Sequence, residues 1–334
     1  MSANVLRTIG NISKTLDIQF LLSEANKLFL EYHAPLNHSP SNFSHKKSGQ
    51  TLLSKIFSVY EKQLKREKNE AKSIWEAKII WNVCFSISSF FEKEELSVFF
   101  QQDSTIEKQY GFEMRGMIEK VCEDLVDCFL HNKNYKVKIN SVKCFSSLPR
   151  FPSNCTPPLS SYPFLSPKKV LFFLQKLSFL LVGEDNSNQH EQEIEEGEII
   201  FQEQQVQEKS LEDKKLVEKY EKTLREDCVH SLARLLLLCT TEEQVSLFVE
   251  KFQTCKHGEK VLNEIVENLC DHYASPSSTS PPFSPQESST LKFFLSKARS
   301  LFSSTKEDSH SPFKQKEQQE SLFYQNMNHL NSFL

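Results

Sequence analysis

The sequence predicts an all-α chain assembled from stacked, antiparallel helix pairs, and three observations predict it. The first is a nine-residue helical pattern that occurs three times, as Asn4–Ile12, Asn82–Phe90 and Asn140–Leu148. Each copy opens on Asn, keeps apolar residues on one stripe, and has a small residue (Gly10, Ser88, Ser146) where a neighbouring helix could come close. A helix recurring at long intervals suggests stacked units rather than one closed globule. The second is a scarcity of glycine, seven in 334 residues and none at phosphate-loop spacing. Nucleotide-binding α/β folds need glycines at their βα turns so that backbone N–H groups can reach phosphate. The third is one clear helical hairpin, Glu113–Leu130 and Tyr135–Leu148, joined by the polar turn Asn132-Lys133-Asn134. Short connections of about 2–8 residues are usual between antiparallel helices.

Taken in order, the apolar spacing predicts helices over Leu16–Tyr32, Leu52–Leu64 and Glu70–Phe91. His33–Ser48 reads as a loop and Gln101–Gly111 as a polar break. Pro149 ends the third copy of the pattern, because proline lacks an N–H and clashes with the preceding turn. Residues 1–150 thus form one helical region, with a Pro-rich linker or strap over 151–167 carrying Pro152, Pro157, Pro158, Pro163 and Pro167. Residues 168–273 form a second, with helices over Lys168–Val182, Leu211–Cys239, Glu242–Phe252 and Glu259–Tyr273. Its insert at 184–208 carries nine acidic residues and no Lys or Arg, a density that repels and favours disorder. A Ser/Pro-rich disordered linker is expected over 274–289, then a short helix at Leu291–Phe302 and a polar tail to residue 334.

Composition narrows the function. The net charge of −4 lacks the basic excess of a general nucleic-acid binder. The longest apolar stretch, Val170–Val182, is too short to span a bilayer and holds Gln175 and Lys176. Nine cysteines without a basic-then-apolar leader read as reduced thiols of a cytoplasmic or nuclear protein.

The segment Asn134-Tyr135-Lys136-Val137-Lys138-Ile139-Asn140-Ser141 resembles the start of the second helix of a HEAT repeat, where an apolar residue precedes a basic one. Arg7-Thr8-Ile9-Gly10-Asn11-Ile12 and Trp81-Asn82-Val83-Cys84 resemble motifs of the C-terminal region of the HEAT repeat-containing protein 6 family, and Leu224–Leu238 resembles a later apolar helix of it. The resemblance covers about Ser2–Arg150 and, more thinly, Tyr220–Cys239. It implies a HEAT/armadillo-like superhelical solenoid with a right-handed stack, no catalytic activity, and a binding role. It also places Met1 where a repeat's second helix begins, so the first helix of that repeat is expected to be missing and the N-terminal face sticky.

No catalytic constellation stands out. There is no Gly-x-Ser-x-Gly elbow and no His-Glu-x-x-His helix, so neither an enzyme nor a cofactor is expected. Cys255, His257, Cys270 and His272 offer four zinc-type ligands. Residues two apart on a helix point roughly 200° apart, so Cys270 and His272 are not expected to share a metal. Cys122 and Cys128 read as packed thiols, and Phe85, Phe90, Phe91, Phe129 and Phe145 mostly as core; Trp75 and Trp81 are candidate hot-spot residues. The stretch Lys62, Lys65, Arg66, Lys68 and Lys72 is interleaved with Glu61, Glu67 and Glu70 and reads as a solvated face. Lys133, Lys136, Lys138 and Lys143 are the candidate partner-binding residues, with a protein segment as the expected partner and nucleic acid as the alternative.

Overall fold

The computed structural model describes residues 3–22, 51–65, 74–93, 95–96, 105–152, 162–182, 211–253, 255, 258–273, 283–304 and 313–334. The insert at 184–208 and the 33–48 loop therefore lie outside the described residues. Twelve helices and no strand element occur among those described. They are α1 Ala3–Thr15, α2 Ile18–Leu22, α3 Leu52–Lys65, α4 Ile74–Phe91, α5 Thr105–His131 and α6 Tyr135–Ser146. The chain continues with α7 Pro167–Val182, α8 Leu211–Leu237, α9 Glu242–Gln253, α10 Gly258–Tyr273, α11 Pro285–Ser304 and α12 Phe313–Asn331.

The helices pack as two rows. In one row α1, α4, α6, α8, α10 and α12 each contact the next; in the other α2, α3, α5, α7, α9 and α11 do the same. From α3 onward each helix also packs on its sequence neighbour in the opposite row, as α3 on α4, α5 on α6, α7 on α8, α9 on α10 and α11 on α12. The apolar residues between the rows form one continuous core, in which Phe57, Phe90, Phe129, Phe145 and Phe173 are all buried.

The repeated pattern has a physical meaning in the first row. Counting from each Asn, the residue at the fourth following place donates a hydrogen bond to the carbonyl at the second following place of the preceding helix. Ser86 Oγ donates to Leu6 O at 2.7 Å, and Cys144 Sγ donates to Cys84 O at 3.3 Å. Ser231 Oγ of α8 donates in the same way to Val142 O at 2.8 Å. That bond reveals a fourth copy, Asp227–Leu235, whose small residue is the fully buried Ala233. Asp in place of Asn, set inside a nearly continuous apolar run, hides this copy from pattern matching.

At Gly10 α1 and α4 approach closely. A Cβ there would lie 2.5 Å from Ser86 Oγ and 2.7 Å from Ser86 Cα, so α1 could not keep its seat on α4. Gly10→Ala is expected to lower stability by about 1–3 kcal/mol, the usual range for overpacking, read as a lower urea midpoint; an unchanged midpoint would show that α1 moves away at no cost. The C-terminus of α1 is satisfied from α4, where the buried ammonium of Lys93 donates to Lys14 O and Leu16 O at 3.0 and 2.5 Å. These are among the carbonyls a helix end leaves without an internal partner. Of the helix expected over Leu16–Tyr32 the described part is α2, which Asp17 starts by accepting from Gln19 N–H; residues 23–32 lie outside the described residues.

Two expectations are corrected. The helix expected from Glu113 begins at Thr105, inside the stretch read as a polar break. Of the 151–167 segment, read as a linker or strap, the described ends 151–152 and 162–167 are packed, since Phe151, Tyr162, Phe164 and Leu165 are buried. Their aromatic rings meet edge to face, Tyr162 donates to Pro149 O, and Arg115 donates to Pro163 O. The second correction concerns the C-terminal end. Residue 285 opens a helix within the supposed 274–289 linker, because Ser284, Pro285 and Glu287 form a capping box with proline at the first helical position. The tail likewise contains α12, which buries Phe323, Met327 and Leu330 at helical spacing and packs on α10.

Candidate partner-binding face

α1, α4 and α6 carry a net cationic excess that the other helices of the row lack. These three helices hold Arg7, Lys14, Lys78, Lys136, Lys138 and Lys143 against one acidic residue, Glu76. The excess follows from the pattern: with the apolar stripe turned inward, places within a turn or two of the Asn on the opposite side face water. The third place after the Asn is Arg7, Phe85, Lys143 and His230 in the four copies.

The sequence-predicted lysines separate once placed. Asn134 caps α6 by accepting from Lys136 N–H and Val137 N–H, which fixes the direction in which the helix leaves the turn. Lys133 is exposed in that turn. Lys136 is exposed on α6 with its ammonium 5.4 Å from the centre of the Trp81 ring. Lys138, roughly 200° further round the helix, is half-buried, and desolvation lowers its pKa. Lys143 lies two turns beyond Lys136, exposed, near Asp227 of α8. Burial raises the Asp227 carboxyl, and Lys143 opposes that rise. The structure therefore brings Lys136 and Lys143 onto one face and turns Lys138 away from it.

Trp81, a candidate hot-spot residue, and Phe85, read as core, complete the face. Trp81 and Phe85, one helical turn apart on α4, are 41% and 39% exposed, and the Arg7 guanidinium lies 5.7 Å from the Phe85 ring centre. A cation over an aromatic face is favourable, by about 0.5–1 kcal/mol at exposed sites. Phe90, Phe91, Phe129 and Phe145 are buried as expected; the side chain of Trp75 lies outside the described residues. Only the repeat register distinguishes Phe85 from Phe90, because it sets Phe85 level with Arg7 and Lys143.

Toward α8 the cationic excess ends, because exposed Lys219 and Lys222 alternate there with acidic side chains. Tyr135 stacks on Tyr220, with ring centres 6.0 Å apart and planes at 13°, and donates to Glu221 at 3.2 Å. Glu221 and Glu226 are exposed there. No protein family, curated protein or solved structure matches this chain.

The other candidate groups serve packing. Cys270 donates toward Asn326 O of α12, Cys255 donates to Lys251 O, and the His272 ring meets the His230 ring at 4.6 Å; His257 lies outside the described residues. No group of three or more His, Cys, Asp or Glu that could hold a metal occurs among the described residues. Cys122 is fully buried, and desolvation pushes its thiol far up. Of the 62–72 basic stretch, Lys65 pairs with Glu61 at 2.6 Å and Lys120 joins the same carboxylate at 2.7 Å, while Arg66, Lys68 and Lys72 lie outside the described residues. Among the described residues no helix is long and apolar enough to cross a membrane.

Proposed function

We propose that this chain is a non-enzymatic scaffold: a HEAT-like superhelix, akin to the HEAT repeat-containing protein 6 family, that presents the outward side of its first row to a protein partner. One observation carries the reading. The hydrogen bond from the fourth place to the second place of the preceding helix recurs across three successive seams, as expected of units repeated in structure as well as in sequence. A row of such units presents an extended surface, which is how stacked repeats bind. The described cysteines are thiols, none of them paired, which supports a cytoplasmic or nuclear address.

A second reading, association with nucleic acid through the Lys133–Lys143 edge, draws support from the Lys136–Trp81 pair, since exposed aromatics beside cations can stack bases. Salt separates the two. Affinity capture of the tagged full chain from its own cell lysate, washed at low and high salt, should retain one stoichiometric protein at high salt. Loss of all partners with rising salt together with recovery of nucleic acid would favour the second reading, because counterion release makes phosphate contacts steeply salt-dependent. Recovery of chaperones alone would remove the scaffold reading.

A further inference from the structure

We infer that the face formed by Arg7, Phe85, Trp81, Lys136 and Lys143 is a docking site for a short, extended, acidic peptide of a partner protein that carries an apolar side chain between its carboxylates. This deepens the scaffold reading and rests on it.

Charge complementarity comes first. The three helices beneath the face carry six cationic residues and one acidic residue in a chain of net charge −4; Arg7, Lys136 and Lys143 lie on the face itself, while Lys138 is turned away and Lys14 pairs with Glu92 at 3.5 Å. The local excess is therefore built into these helices and does not reflect the composition of the chain. Second, the cations are placed for carboxylates. Arg7 and Lys136 lie over aromatic rings, and a guanidinium stacked on a ring still presents its N–H edge for bidentate pairing with a carboxylate. Third, Trp81 and Phe85 are both about 40% exposed. Sitting one turn apart on α4, between the cations of α1 and α6, they offer the apolar contact that a purely acidic ligand would not use.

Size sets the length of the ligand. Packed helix axes lie about 8–10 Å apart, so from α1 to α6 the face spans roughly 16–20 Å. An extended peptide rises about 3.3 Å per residue, so about five or six residues cover it. Beyond α6 the exposed Glu221 and Glu226 stand among exposed Lys219 and Lys222, with Lys222 3.8 Å from Glu226, so the cationic excess does not continue along α8.

The test uses the full chain and a fluorescein-labelled octapeptide of Glu and Asp with one central Phe and one Leu, read by fluorescence anisotropy at low salt. The same peptide with Lys for every acid, and an octamer of oligouridylate, serve as comparisons. The acidic peptide should bind the wild type. It should bind Lys136→Glu/Lys143→Glu at least tenfold more weakly, Trp81→Ala several-fold more weakly, and Lys136→Arg about as well as wild type. Because these side chains are exposed, helical circular dichroism and melting should be unchanged, and Arg7→Glu gives an independent reading from another helix.

Absence of binding to the wild type, equal binding by Lys136→Glu/Lys143→Glu, or equal binding of the Lys peptide would overturn the proposal. Tighter binding of oligouridylate would overturn it in favour of nucleic acid. Tighter peptide binding after replacing 184–208 with a neutral Gly/Ser segment of equal length would overturn it in favour of the chain's own acidic insert as the occupant. Failure here is distinct from failure of the scaffold reading. If the partner captured from lysate is still retained by Lys136→Glu/Lys143→Glu, the scaffold stands and docks elsewhere.

Discussion

Replacing Glu287 by alanine is expected to destabilise the protein by about 3–5 kcal/mol, the cost of breaking a buried ion pair on one side. Glu287 has a fully buried side chain and takes two parallel bonds from Arg150, at 2.9 and 2.7 Å. It also accepts from Ser284 N–H at 2.9 Å as one half of the box that starts α11. The Arg150 guanidinium lies 5.7 Å from the Phe283 ring centre, so one carboxylate ties the end of α6 to the start of α11, 137 residues away in the chain. Urea unfolding of Glu287→Ala, Arg150→Met and the double variant would measure this. The double variant should lose much less than the sum of the singles, because it strands no charge. Strict additivity would mean that the two side chains contribute independently.

The second large effect is acid sensitivity centred on His230. Its folded pKa falls from 6.5 to about 4, chiefly through burial and then through His272, with Arg234 of its own helix and Lys143 of α6 adding to the fall and the Asn268 hydrogen bond opposing it. The sign follows. Between about pH 4 and 6.5 the unfolded chain holds more protons at this position than the folded one, so stability rises with pH across that window. The stability is fully present above the ordinary histidine value and declines as pH falls toward the folded value. A shift of one unit corresponds to about 1.4 kcal/mol. With allowance for water around a half-buried ring, the loss from this group is about 2–3 kcal/mol between pH 7 and 4. His230→Gln should flatten the urea midpoint against pH in that window while leaving the low-pH loss due to other groups. An unchanged slope would place the sensitivity elsewhere.

The helical class and the seams of the first row were legible because the residues forming them repeat in register. Gly10 was picked out as a place of close approach from its position in the pattern, and it meets Ser86 there. The fourth copy was not legible, since Asp227 replaces the marker Asn and the apolar run around it has no visible edge. The start of α11 and the whole of α12 were misread for a different reason. Pro285 looks like a breaker, yet proline suits the first helical position, where its missing N–H costs nothing. Phe323, Met327 and Leu330 are three apolar residues in a polar tail, too few to shift its composition but enough to seat it on α10. Of the candidate face, composition gave the lysines and only the repeat register could have added Arg7 and Phe85. Which lysines share a side followed from helical angle, and the turning away of Lys138 is its simplest consequence.

The donors at the row's seams differ in what they fall back on. Ser86 bonds Asn82 O of its own helix as well as Leu6 O, and Cys144 bonds Asn140 O as well as Cys84 O. If α1 and α4, or α4 and α6, drew slightly apart, neither donor would be stranded. The next seam is clamped instead, by Ser231 on Val142 O, Arg234 on Ser146 O and the Tyr135–Tyr220 stack. The first seam is also tied at its end by Lys93 on Lys14 O and Leu16 O, so a small change of spacing there would re-partner Ser86 without freeing α1, while past Lys143 the ties fix α6 on α8.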